Sequence, residues 1–133
     1  MIKLRDILLE NTAPDIFVPR RVEDRLERMI KNYVRNGSKG DLNLSGRNLT
    51  KLPDILKDIS VGGDFYCGNN LLTSLEGAPK TVGGDFFCNS NKLMSLDGSP
   101  KFVGANFSCF NNPGNFTEQQ VRAVCDVKEN VYV

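Results

Sequence analysis

VGGDFYCGNN, residues 61–70, returns as VGGDFFCNSN at 82–91. The copy is displaced by 21 positions, and the displacement recurs. Val61, Val82 and Val103 share it, as do Phe65, Phe86 and Phe107, and Cys67, Cys88 and Cys109. A fixed period of this length marks a chain built from stacked, self-similar coils, each of which buries its apolar face only against its neighbours. A less similar unit precedes them in GDLNLSGRNLTKLP, from Gly40, with Leu42 and Leu44 in the places of Phe65 and Cys67. Its two extra residues fall between Leu52 and Val61.

Aligned this way, the units read apolar-x-apolar-x-x-Asn-x-Leu-x-x-Leu. Phe65, Cys67, Asn70, Leu72 and Leu75 make one; Phe86, Cys88, Asn91, Leu93 and Leu96 make the next. Phe107, Cys109 and Asn112 begin a last unit that breaks at Pro113–Gly114, and the first unit has Arg47 at the Asn place. This is a leucine-rich-repeat pattern. It predicts one short strand per unit, stacked in parallel at ~4.8 Å. Alternation along a strand sends the Phe and Cys columns inward. The Asn column is then expected to turn inward and hydrogen-bond backbone groups of the bend. The cysteines read as small core residues. Zinc needs converging ligands, commonly in closely spaced pairs, and the chain has no histidine. Parallel Cβ vectors on neighbouring coils suit a disulfide poorly. Cys125 lies outside the period and is placed on a buried helix face.

Apolar core is exposed at both ends of such a stack, so caps are expected. PRRVEDRLERMIKNYVRNG predicts a helix from about Pro19 to Arg35, stopped by Gly37. Its basic face (Arg20, Arg21, Arg25, Arg28) is either a solvated surface or a site for an acidic partner. Thr117-Glu118-Gln119-Gln120 fits a capping box at the start of a helix to about Cys125. NVYV, 130–133, reads as a short strand covering the last edge. The expected fold is therefore α/β: a short leucine-rich-repeat solenoid, a parallel strand ladder of about four repeats. The segments are an N-terminal helical cap over 1–39, repeats over 40–116 and a C-terminal helix–strand cap over 117–133, as one domain.

Composition excludes several function classes. The 133 residues are 40% hydrophobic and 25% charged with net charge +1, which gives no general attraction to nucleic acid or anionic membrane. No apolar run approaches a membrane span. MIKLRDILLE is too short and charged for a secretory signal. Four cysteines without an export signal then suggest free thiols in a reducing, cytoplasmic compartment.

The units resemble the short repeats of secreted bacterial effector proteins. VGGDFYCGNNLLTSLEGAPK, its copy and the closing NNPGNFTEQQVRAVCDV resemble, more closely, small leucine-rich-repeat proteins of tailed phages, over residues 40–116. The front segment ENTAPDIFVPRRVEDRLERMIKNYVRNGSKGDL also looks like the opening of such proteins. That resemblance implies a phage origin and residence in the host cytoplasm. The ligase activity of some effector relatives resides in a separate catalytic domain and does not carry over. MIKLRDILLE resembles the short amphipathic peptides that direct internal proteins into T-even-like phage heads. Leu8-Leu9-Glu10 matches the cleavage pattern there, which implies, as the alternative, a head-packaged or self-assembling structural protein cut after Glu10.

Catalytic chemistry has little to work with. Ser and Cys have no histidine base, and GSKGD at 37–41 is not a phosphate-binding loop. No enzyme activity, cofactor or metal site is expected. Asp41, Asp64 and Asp85, followed by Asn106, share one outward position. Such a row satisfies turn amides, attracts basic side chains of a partner, or binds a cation. The outward face carries Asn43, Tyr66, Phe87 and Ser108 in one row, and Ser45, Gly68, Asn89 and Phe110 in the next. Two adjacent aromatics flanked by carboxylates suit a protein-binding patch. The expected function is a non-enzymatic binding module that engages a host or phage protein through Tyr66, Phe87, Asp64, Asp85, Phe110 and Asn43. A homo-oligomer through a solenoid end is a second expectation.

Overall fold

The computed structural model describes residues 18–133, with side chains from Arg25 onward. The peptide 1–10, its cleavage behind Glu10, and the Arg20 and Arg21 side chains of the basic face lie outside the described residues. The chain divides into two compact units, Met1–Lys31 and Asn32–Val133, and the boundary falls inside helix α1 (Val18–Arg35). In the first unit Leu26 and Ile30 are buried while Arg25, Glu27 and Arg28 are exposed, the stripe that a 3.6-residue period predicts. In the second unit the helix closes with bonds from the Asn36 and Gly37 amides to Asn32 and Val34 carbonyls. Gly37 leaves it at φ 93°, where a side chain would strain the backbone.

Asn32–Val133 holds two parallel sheets. The five-stranded sheet runs β1 (Leu42–Asn43), β3 (Phe65–Tyr66), β5 (Phe86–Phe87), β7 (Phe107–Ser108) and β9 (Val131–Tyr132) in spatial order. The four-stranded sheet runs β2 (Ser60–Val61), β4 (Thr81–Val82), β6 (Phe102–Val103) and β8 (Asp126–Val127). The period fixes the register: Phe65 pairs with Leu42 and Phe86, and Phe107 with Phe86 and Val131. A 3₁₀ turn at Asp54–Asp58 absorbs the longer first return. Helix α2 (Glu118–Val124) opens on the expected capping box: the Gln120 amide donates to Thr117 Oγ1 at 3.1 Å, and the Thr117 amide to Gln120 Oε1 at 2.9 Å. The result is a solenoid-like ladder of parallel strands with two helices.

The second sheet corrects the expectation of one strand per unit. The Gly83 amide bonds Val61 O at 2.7 Å, and the Gly104 amide bonds Val82 O at 2.8 Å. Only glycine permits this approach, because a Cβ on Gly83 would drive into the Gly62 carbonyl and one on Gly104 into that of Gly83. The Val-Gly dipeptides therefore sit at the ends of strands.

The core lies between the sheets. Phe65 and Phe86 stack at 5.8 Å between centroids, and Phe107 tilts against Phe86 at 4.9 Å. Cys67, Cys88, Cys109 and Cys125 are buried and unbridged. Asn70, Asn91 and Asn112 are buried too, and each spans two coils. Asn91 Nδ2 donates toward Cys67 O, Cys88 O and Asn89 O at 3.0–3.3 Å, while its Oδ1 accepts from the Leu72 amide at 3.0 Å. Asn112 repeats the arrangement, its Oδ1 accepting from the Asn91 and Leu93 amides. Replacing Asn91 by Ala strands at least two buried backbone groups at about 1–3 kcal/mol each. Urea unfolding should therefore show Asn91→Ala less stable by about 3 kcal/mol, while half-exposed Asn89→Ala changes stability by less than about 0.5 kcal/mol.

Candidate functional site: an aromatic and acidic strand face

The outward side of the five-stranded sheet is set by the same register that fills the core. Inward Phe65 and Phe86 force Tyr66 and Phe87 to the other side, one above the other. Their rings stack at 4.8 Å between centroids with planes 4° apart. Both are half-buried rather than exposed, because each covers one face of the other. Such a pair contributes about 0.5–1.5 kcal/mol beyond its area, and it is rigid before any partner arrives. Asn43 begins the row, exposed, with its Oδ1 accepting from the Ser45 amide at 2.9 Å and the Ser45 hydroxyl at 2.6 Å.

Ser108 departs from its expected place on the open surface. It pairs with Phe87 and Tyr132 but is only 4% exposed; a short side chain between two aromatic positions is covered by them. The row instead continues at Tyr132, which is 48% exposed. The sequence reading missed Tyr132 as a row member because α2 lengthens that return. The offset from Phe107 to Val131 is 24, and the 21-residue period no longer points to it. The clue available was the alternation in NVYV. Phe110 is exposed as expected, at 41%, in the neighbouring row.

The acidic row is a hydrogen-bond ladder. Asp41 Oδ1 accepts the Asp64 amide at 2.8 Å, Asp64 Oδ1 the Asp85 amide at 2.7 Å, and Asp85 Oδ1 the Asn106 amide at 2.8 Å. Asn106 Oδ1 continues it to the Asn130 amide at 2.9 Å. An amide oxygen serves as well as a carboxylate, because the position requires an acceptor and not a charge. Every Oδ1 of the three aspartates is thus engaged, and Asp64 Oδ2 also accepts from the Tyr66 hydroxyl at 3.2 Å. Among the described residues no group of three or more His, Cys, Asp or Glu side chains is placed to hold a metal ion.

The titrating groups bear on chemistry in two ways. Burial pushes the Cys67 and Cys88 thiols well up and raises Cys109 and Cys125 to about 11. The thiolate is the reactive form, so Ellman's reagent should label the native chain slowly and all four cysteines promptly in denaturant. Tyr66 is raised from its ordinary 10.0, first by burial of the hydroxyl, then by its bond to Asp64 and the charges of Asp64, Asp41 and Asp85. A raised phenol contributes stability that is present below its unfolded value and is lost as pH rises through the folded one. Tyr66→Phe should therefore retain more of its neutral-pH stability in alkali than the wild type, measured by circular dichroism along a titration from neutral pH.

No protein-family model, curated protein or solved structure matches the chain. Among the described residues no helix is long and apolar enough to cross a membrane.

Proposed function

We propose that this protein is a non-enzymatic binding module, a short leucine-rich-repeat solenoid that grips a protein partner on its outward strand face. The observation that carries the reading is the parallel Tyr66–Phe87 stack, bordered by Asp64 and Asp85. Rigid aromatics lose little freedom on binding and dominate the energetic centres of interfaces. Carboxylates beside them favour a partner segment bearing Arg or Lys, whose cation would lie over a ring and reach Asp85 or the free side of Asp41. Phe110, Tyr132 and Asn43 form the margin of the surface. In this reading α2, with β8 and β9, acts as the C-terminal cap. The likeness of the repeats to those of tailed-phage proteins supports a host or phage protein as partner, met in the host cytoplasm.

Affinity capture from infected-host lysate, read by mass spectrometry, tests the reading with three baits: wild type, Tyr66→Ala/Phe87→Ala, and Met94→Ala, which alters an exposed residue away from the strand face. A direct partner should bind the wild type and Met94→Ala alike. It should lose at least about thirtyfold in affinity for the double variant, since even one central truncation costs about 2 kcal/mol. Equal capture by all three baits overturns the reading.

A further inference from the structure

The two margins of the five-stranded sheet are finished differently. At β9, Phe107 N donates to Asn130 O and Cys109 N to Tyr132 O, both at 2.9 Å. Alternate residues of a parallel strand bond to opposite sides, so the Val131 amide and carbonyl both point away from β7, onto the open margin. The acceptor ladder also stops there. Asp41, Asp64, Asp85 and Asn106 each receive the next member's amide, while Asn130 Oδ1 receives none among the described residues. Tyr132 and Val133 are about half exposed beside these groups. At β1 the bonds to β3 use Leu42 and Leu44, so Asn43 and Ser45 face the opposite margin. There the Asn43 side chain folds back over the Ser45 amide and hydroxyl, closing that edge from within. One edge is protected by a side chain, while among the described residues no group bonds the Val131 amide and carbonyl on the other, which makes the latter the site for strand addition.

We propose that two copies of this chain associate tail to tail, β9 against β9, antiparallel about a twofold axis at Val131. In an antiparallel ladder a hydrogen-bonded pair exchanges both N–H···O bonds between the facing residues. Val131 presents both groups outward, so its best complement is Val131 of a second copy. Asn130 then lies opposite Tyr132 of the second copy, in the close pairing where side chains meet. Among the described residues these two side chains make only a long bond, 3.5 Å from Asn130 Nδ2 to the Tyr132 hydroxyl, so both are available to an opposite strand. A head-to-tail contact would have to use the closed β1 margin and would propagate without limit, whereas the tail-to-tail contact is self-complementary and stops at two. The dimer joins the two outward faces along one continuous sheet, without using Tyr66 or Phe87.

Analytical ultracentrifugation of the chain across a concentration series tests this. The mass should rise from one chain to two and stop. Val131→Pro should stay monomeric at every concentration with native circular dichroism, because the amide it removes makes no bond among the described residues. Tyr132→Lys should do the same through edge charge and keeps the test open if the proline variant fails to fold. Tyr66→Ala/Phe87→Ala should dimerise as the wild type does, which separates this contact from the partner-binding face. Exchange of the Val131 amide should slow by roughly tenfold or more as the dimer fills. A wild type that remains monomeric, a mass that climbs beyond two chains, or edge variants that fold and still dimerise would each overturn the proposal.

Discussion

One side chain holds two coils at once. The Asn91 carboxamide donates to carbonyls of its own turn and of the preceding strand end, and accepts from the Leu72 amide of the coil before. Strands of two residues supply too few ladder bonds to hold a sheet by themselves. The bends between them would bury unpaired amides and carbonyls, a cost on the scale of the whole stability of a small fold. The Asn column removes that cost at each step, and the outward Asp column does the same at the strand entrance with side-chain oxygens on backbone amides. Packing of Phe and Cys then fills a frame whose polar groups are already paired.

Much of this was legible because repetition turns one local reading into several. The inward Phe, Cys and Asn columns follow from a 21-residue period and a two-residue alternation, and a capping box at Thr117 needs only four residues to be recognised. The second sheet was harder to see. Thr81–Val82 and Phe102–Val103 are two residues long, so no alternation develops within them. They become strands through bonds to other coils rather than through their own propensity.

The face of the sheet divides the same way. Tyr66 and Phe87 were placed correctly by counting, since the period governs them. Their mutual covering was not, because counting gives a neighbour but not the angle of its ring. Ser108 and Tyr132 were misjudged for a related reason. Exposure depends on the size of the flanking side chains, and Tyr132 enters the row only after α2 changes the length of the return. Sequence periodicity reads what is identical between coils, and the surface is made where coils differ.

That division also decides which residues are able to separate folding from recognition. Asp64 lies on the proposed binding face, but its Oδ1 holds the Asp85 amide and its Oδ2 the Tyr66 hydroxyl. Removing it would free a strand entrance and release the aromatic ring together, so a loss of binding there would not distinguish a missing contact from a loosened coil. Asp85, holding the Asn106 amide, is bound by the same constraint. The Tyr66 and Phe87 rings contact each other, and among the described residues no inter-coil amide donates to either side chain. An acidic ladder that builds the frame therefore imposes its charge on whatever meets the surface, while the aromatic row is the part left free to vary with the partner.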